Sequence, residues 1–300
     1  MSGPRRTSVV IGEEQALDMV TDGMTIAIGG FNTAAHPMVI VRGLIRRGVR
    51  GLRVIGGTIA GLELDLLIGA GVAEEVITSS VTGEALASIG PFFRHAAESG
   101  AVKVWESDEG ILYAGLRAAG QGLPFLPWKA GVGSSLPDLN PDLKVFTDPI
   151  AGEQLLAVPA LRPDVCFLHV SRSDHYGLGQ HTGSGFGDRL LHRAAAKTVI
   201  TTERLVPNET IRANAFETSI PYADGVIRAP WGAHPYSSPG HYLVDETHLN
   251  EYLATAAAAR NGDRAPFEAY LERYVTGPAS HVEYLEQIGV RRLIELDEWT

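Results

Sequence analysis

Short apolar runs of strand length alternate with amphipathic stretches from the start of the chain. Within Glu13 to Val20, Ala16, Leu17 and Val20 recur at helical spacing, and Thr21-Asp22-Gly23 turns the chain into a strand ending at Ile28. Pro37 then opens a helix over 38–47, an ordinary place for proline in a first turn. The same alternation predicts strands at 52–55, 75–78 and 102–105, and helices at 62–68, 91–98 and 108–119, the last capped by Asp108. Four β–α units in succession predict an α/β fold with a mostly parallel sheet covered by helices.

A glycine- and proline-rich stretch, 120–141, reads as a loop interrupting this pattern. Strands follow at 144–147, 164–170 and 197–202, with a helix at 189–196 before the last. Residues 203–243 read as strand and loop. From Asp245 onward helical periods return, best at 254–259 and 267–274. With no internal repeat and no low-complexity linker, residues 1–300 are expected to form one domain, of which 244–300 is a helical carboxyl-terminal extension.

Composition narrows the possible roles. Twenty-five basic against 35 acidic residues leave a formal charge of −10, which repels phosphate backbones and anionic lipid and argues against nucleic-acid and membrane-surface roles. The longest clean apolar stretch, after Asp65, is far shorter than the roughly 20 residues needed to span a bilayer. The amino terminus turns acidic before a signal-peptide core forms, so no targeting segment is expected. The one cysteine, Cys166, cannot form an internal disulfide or a thiolate metal cluster, and a reducing, cytoplasmic location is the expectation.

Four segments carry candidate chemistry. In the first, 22–37, a strand delivers Gly29-Gly30-Phe31-Asn32 to its carboxyl end just before a helix. Ligands of open α/β sheets sit at such ends, and paired glycines let backbone N–H groups approach a bound oxygen; a plain tight turn needs the same residues. The second is Trp105-Glu106-Ser107-Asp108-Glu109-Gly110. Asp108 and Glu109 suit a helix amino terminus. Glu106, at a strand end beside an apolar neighbour, is placed either as a general base or on a solvated edge.

In the third segment His169, His175 and His181 are spaced by six residues with Asp174 among them, which fits neither a helical pair nor a standard zinc pattern, so no metal site is expected. The fourth, Gly183-Ser184-Gly185-Phe186-Gly187-Asp188, lacks both the dinucleotide and the P-loop spacing and reads as a turn capped by Asp188. There is no Gly-x-Ser-x-Gly elbow either, which argues against a serine-hydrolase mechanism.

The first segment, with its Asp-Gly, three aliphatic residues, Gly-Gly-Phe and later Pro37, resembles the amino-terminal signature of the α subunit of family I CoA-transferases. Ala35 stands where that family usually has glycine. Phe92-Phe93-Arg94, Glu106, Leu116-Arg117-Ala118-Ala119, 122–127, Glu203 and 229–235 are similar to α-subunit sequences in order and spacing. Within the family the pattern resembles an actinobacterial branch that no longer transfers CoA, the α subunit of a hydrolase opening the last ring in steroid degradation.

The resemblance implies a CoA-transferase-type fold, an acyl-CoA substrate with no other cofactor, and a β-subunit partner in an α2β2 assembly. Transferases of this family attack acyl-CoA with a glutamate in a Ser-Glu-Asn-Gly motif of the β subunit, and no such tetrapeptide occurs here. In the hydrolytic branch the essential carboxylate would come from this chain, with Glu106 the candidate and N–H donors near Gly29, Gly30, Phe31 and Asn32 stabilising an enolate. CoA transfer within the same family, and a non-catalytic binding or regulatory subunit, are the alternatives.

Overall fold

The computed structural model describes residues 6–297. In chain order, α1 (Glu13–Leu17), β1 (Thr25–Ile28), α2 (Met38–Arg47), β2 (Leu52–Ile55), α3 (Leu62–Gly69), β3 (Ala73–Ile77), α4 (Pro91–Ser99), β4 (Lys103–Val104) and α5 (Glu109–Gly120) form the expected β–α succession. Next come β5 (Phe125–Trp128), α6 (Leu136–Leu139), β6 (Lys144–Thr147), β7 (Gln154–Pro159), β8 (Val165–Ser173), β9 (Gly179–Gln180), α7 (Asp188–Ala194) and β10 (Lys197–Leu205). The chain closes with α8 (Asn208–Ala213), β11 (Thr218–Ile220), β12 (Gly225–Arg228), α9 (Glu246–Arg260), α10 (Ala265–Leu271), α11 (His281–Ile288) and α12 (Val290–Leu296).

The main sheet runs β11-β9-β8-β1-β2-β3-β4, with β10 on β8 and β12 on β10. Its central pairings are parallel, with Ile26 opposite Val54 on one side and Val165 on the other. Strand alternation splits the core in two. Ile26, Ile28, Val54 and Phe167 face α2, α3 and α9, whereas Ala27, Ile55, Cys166 and Leu168 face α5 and α7. Burial pushes the Cys166 thiol well up, which keeps it protonated and inert.

The stretch 120–141 is not simply a loop. Phe125–Trp128 pairs antiparallel with Gln154–Pro159, which in turn pairs with Lys144–Thr147, giving a separate three-stranded sheet. Pro127 breaks the strand signature in sequence and is tolerated because β5 is an edge strand of this small sheet.

The carboxyl-terminal helices pack onto the first face of the main sheet through a buried aromatic and histidine layer. Phe267 lies against Phe92 at 4.6 Å, and Arg42 of α2, fully buried, places its guanidinium 3.5 Å over the Tyr284 ring. Arg42 also donates to the His234 carbonyl at 3.0 Å. Asp65 of α3 accepts from Phe93 N–H and from the Tyr252 hydroxyl, both at 2.6 Å, joining α3, α4 and α9. Among the described residues no helix is long and apolar enough to cross a membrane.

Candidate active site

From β1 the chain builds the sheet outward through β2, β3 and β4, then returns beside β1 as β8 and builds outward the other way through β10 and β12. The order therefore reverses between β1 and β8, and the crevice beyond the carboxyl ends at such a point is where open α/β sheets bind ligands. Gly29-Gly30-Phe31-Asn32 leaves β1 at this place. Ile28 pairs with Phe167, so His169 of β8 is level with Gly30.

The loop is shaped by close backbone packing. A Cβ on Gly29 would stand 2.4 Å from Leu168 Cδ2 and 2.6 Å from Asp188 Oδ1. Gly30 is left-handed, with φ of +96°. A second strand–Gly-Gly turn, Ile55-Gly56-Gly57, repeats the pattern on β2. A Cβ on Gly57 would stand 2.4 Å from the Gly30 carbonyl, so the two turns touch backbone to backbone.

Beyond them Asn32 and Ala35 are both left-handed, at φ of 56° and 58°. Asparagine tolerates that region; alanine pays for it, at the position where a glycine was expected. His36 holds the loop from inside. Its Nδ1 lies 2.9 Å from the Gly29 carbonyl and its Nε2 3.0 Å from that of Asn32, with Glu63 Oε1 3.3 Å from Nδ1. Burial pushes the Glu63 carboxyl up, against the pull of His36.

The expectation of free N–H donors on this loop is corrected by the structure. Gly29 N–H donates to Phe167 O at 2.8 Å, Phe31 to Ala34 O at 2.9 Å, and Asn32 to Ile59 O at 2.9 Å. Gly30 N–H donates to Asp188 Oδ1 at 3.0 Å in a buried bond. All four are committed inside the chain, so the loop offers shape, the Phe31 ring and the Asn32 side chain rather than an oxyanion hole. Asn32 Nδ2 donates to Glu84 Oε1 at 2.6 Å, and its buried Oδ1 has no partner among the described residues.

Asp188 is likewise not the cap of its own turn. It is the first residue of α7, and its carboxylate reaches across to Gly30 and, at 3.0 Å, to His181 Nε2. His181 Nδ1 lies 2.6 Å from Ser219 Oγ. The three histidines keep separate company: His169 bonds Glu203 at 2.8 Å and Thr201 at 2.9 Å, His181 bonds Asp188, and His175 is exposed. Among the described residues no group of three or more His, Cys, Asp or Glu is placed to hold a metal.

Glu203 of β10 is the second buried carboxylate at this edge. Burial alone raises it, but hydrogen bonds from His169 Nε2, the Tyr242 hydroxyl at 2.6 Å and Trp231 N–H at 2.7 Å outweigh that and hold it below the usual range.

Glu106 follows β4, at the sheet's edge, three strand spacings from Gly29 or about 14 Å. Its side chain is exposed, and among the described residues no hydrogen bond or ion pair holds its carboxylate. Its carbonyl accepts from Asn140 Nδ2 at 2.8 Å, fixing the backbone there. Trp105 turns the other way, buried, donating its indole N–H to Asp142 at 3.0 Å. Asp108 caps α5 by accepting from Ile111 N–H at 2.7 Å, as expected. Tyr113 of α5 links the two regions: its hydroxyl lies 3.1 Å from Thr58 Oγ1 beyond β2, and its ring lines the position of Gly187.

His36, Glu63 and the Asp188–His181 pair were not read from the sequence as site residues. The repeat of Ile-Gly-Gly at 28–30 and 55–57 was an available signal for the packed double turn. Nothing local marks a contact between Gly30 and Asp188, 158 residues apart.

The profile of the coenzyme A transferase family matches residues 13–229. The chain belongs to this family. It is a family I CoA-transferase α subunit by its relatives. The "Cholesterol ring-cleaving hydrolase IpdA subunit" of Mycobacterium tuberculosis is 34% identical over 275 residues, covering 88% of this chain and 92% of that protein. An uncharacterized protein of Archaeoglobus fulgidus is 36% identical over 286 residues; the alignment covers 94% of this chain but 62% of that protein's length. Among solved structures, glutaconate coenzyme A-transferase from Acidaminococcus fermentans superposes with a TM-score of 0.90 at 30% identity, over 97% of this chain and 96% of that one. The fold of this member of the family is thus the expected CoA-transferase-type architecture, with helices after residue 244.

Proposed function

We propose that this chain is the α subunit of a heteromeric cytoplasmic enzyme that hydrolytically opens the last ring of a steroid-derived cyclic keto acyl-CoA. The observation that carries this reading is Glu106: an exposed carboxylate with no partner among the described residues, beyond the carboxyl end of a strand, in a protein 34% identical to a ring-cleaving hydrolase subunit.

The chemistry balances with one water. Glu106 takes a proton from water, and the hydroxide adds to the ring ketone to give a tetrahedral alkoxide. The alkoxide collapses to a carboxylic acid as the bond from that carbon to the carbon α to the thioester breaks. The electron pair enters the thioester enolate, and the proton held by Glu106 returns to the α carbon. Coenzyme A enters as part of the substrate, and no further cofactor is required. Because the loop N–H groups are committed, enolate stabilisation falls to other donors, and the site is completed by a β subunit in an α2β2 assembly. The subunit names of the relatives support that partner.

Glu106→Gln in the reconstituted complex tests the reading. A drop in ring cleavage of about 100-fold or more is expected of a lost general base; unchanged activity would make this chain a binding or regulatory subunit. The likeness to glutaconate CoA-transferase favours CoA transfer as the second reading. Borohydride trapping during turnover separates the two, because a reduced glutamyl-thioester in the partner chain would establish transfer and reject hydrolysis.

A further inference from the structure

His36, just before Pro37, is buried under the turn that leaves β1, and its ring spans that turn. Nδ1 lies 2.9 Å from the Gly29 carbonyl and Nε2 3.0 Å from the Asn32 carbonyl, both in buried contacts. A carbonyl oxygen only accepts, so each ring nitrogen has to donate. Neutral imidazole carries a single N–H, and either tautomer would turn a nitrogen lone pair toward one of the two carbonyls at hydrogen-bond distance. Only the doubly protonated ring satisfies both.

The surroundings suit that charge. Glu63 Oε1 lies 3.3 Å from Nδ1, and both side chains are completely buried. The same oxygen accepts the Gly61 N–H at 3.0 Å, which fixes the carboxylate in the first turn of α3. The amino terminus of α2, at Met38, disfavours a cation here, and a buried cation left unpaired is costly, so the carboxylate is what keeps the second proton on the ring. The other titratable groups packed around the pair are Tyr236, whose ring lies 4.5 Å from that of His36, Asp65 on α3, and Asp188, which reaches the loop through the Gly30 N–H. None of these is a cation that could take the place of His36. Room for the ring comes from glycine: a Cβ on Gly30 would stand 2.7 Å from Nδ1, and one on Gly61 3.0 Å from Nε2.

We propose that His36 is a positioning residue for the substrate-facing loop, and that it works as an imidazolium paired with Glu63. The four N–H groups from Gly29 to Asn32 are already turned into the protein. The two His36 bonds turn a pair of the loop's carbonyls inward as well, so Phe31 and Asn32 project from a backbone held at both ends. Loss of one ring proton releases one carbonyl and leaves the buried carboxylate without its counter-ion. The protonation state is independent of the ring-opening reading, whereas its effect on turnover rests on that reading.

Long-range proton–nitrogen NMR of the full-length chain with isotope-labelled histidine, at neutral pH, tests this. The His36 ring is assigned through its contact with Tyr236. Both ring nitrogens should be protonated in the wild type, and Glu63→Gln, nearly isosteric, should leave a neutral ring with one bare nitrogen. Amide exchange over residues 29–35 should then quicken by about 10-fold, the loss of one hydrogen bond, while β2 stays protected. In the reconstituted α–β complex the same variant should lose about 10- to 100-fold in kcat with KM little changed, as expected of a reacting geometry displaced by about 1 Å. A neutral His36 in the wild-type chain overturns the proposal with no variant needed, even if Glu63→Gln fails to fold. An imidazolium that survives Glu63→Gln, unchanged loop exchange, or unchanged kcat in an active complex each overturns it too. A wild-type complex that cleaves no ring, with the spectra and exchange as stated, rejects the ring-opening reading and keeps the positioning role.

Discussion

Asp188 lies across the end of β1, accepting the Gly30 N–H at 3.0 Å through one oxygen and meeting His181 at 3.0 Å through the other. That carboxylate is also why residue 29 has no side chain, since a methyl there would stand 2.6 Å from Asp188 Oδ1. The glycine pair is thus a docking place for a protein carboxylate, and the loop's shape depends on a residue far along the chain.

The energetic consequence is measurable. Asp188→Ala leaves a buried N–H without a partner, at a cost of about 1–3 kcal/mol. Gly29→Ala overpacks the same spot and costs about 1–3 kcal/mol. The double variant should cost less than the sum, because removing the carboxylate relieves part of the clash, although Leu168 still crowds the methyl at 2.4 Å. Urea unfolding of the three variants measures this. Strict additivity would mean that the two residues do not share this contact energetically.

Ala35 offers a test in the opposite direction. Its φ of 58° is held by its N–H bond to the Ser237 carbonyl at 2.8 Å. Relieving the left-handed penalty returns about 1–2 kcal/mol, and glycine's extra backbone freedom takes back about 0.5–1 kcal/mol. Ala35→Gly should therefore raise stability by up to about 1.5 kcal/mol. Ala35→Val, β-branched in the same conformation, should lower it by more than that. A thermal melt in which Ala35→Gly loses stability would show that the buried methyl matters more for its packing than for its torsion.

These two cases mark what sequence can and cannot carry. The succession from β1 to α5 was legible because apolar runs of strand length alternate with glycine- and proline-marked turns, and the Gly29-Gly30 turn was legible as the place where ligands approach. The three-stranded sheet was not, because Pro127 and a half-exposed alternation make β5 look like loop. The commitment of the loop N–H groups was not either, since their acceptors, Phe167, Ile59 and Asp188, come from other elements. Glu106 could be placed at a strand end from sequence, but its distance from the glycine loop follows from the strand order alone.

Asp65 predicts an unusual pH response. Burial raises its pKa from 3.8 to about 6, although the Tyr252 hydroxyl and the Phe93 N–H oppose the shift. The folded state therefore holds this proton to a higher pH than the unfolded chain does. Its contribution to stability is full below pH 3.8 and falls as pH rises to 6, by on the order of 3 kcal/mol. Asp65→Asn, which cannot titrate, should remove this slope between pH 4 and 6. A variant whose stability tracks the wild type across that window would show that the carboxyl titrates normally in the fold.

The docking of the carboxyl-terminal helices should respond to acid with the opposite sign. Burial pushes both His248 and His281 down to about 3, with His234 and Arg42 adding to the effect on the first and Arg42 on the second. His248 is bonded to the Tyr270 hydroxyl at 2.8 Å, and His281 Nε2 to the Pro230 carbonyl at 2.7 Å. Asp245 is held well below the carboxylate range, because hydrogen bonds from His234, Arg292 and His248 N–H outweigh its burial. The unfolded chain binds protons at both histidines below about pH 6.5 while the folded chain refuses them until about 3, so their contribution is intact above 6.5 and is lost as pH falls through that window. Amide exchange in α9 to α11 should accelerate between pH 6 and 4, after correction for intrinsic exchange rates, while β1 and β2 stay protected. His248→Gln keeps a donor for Tyr270 without a titrating ring, and it should reduce the acceleration. If the sheet and the helices instead lose protection together, the aromatic layer that joins them is part of the same cooperative unit, and acid acts on the whole fold.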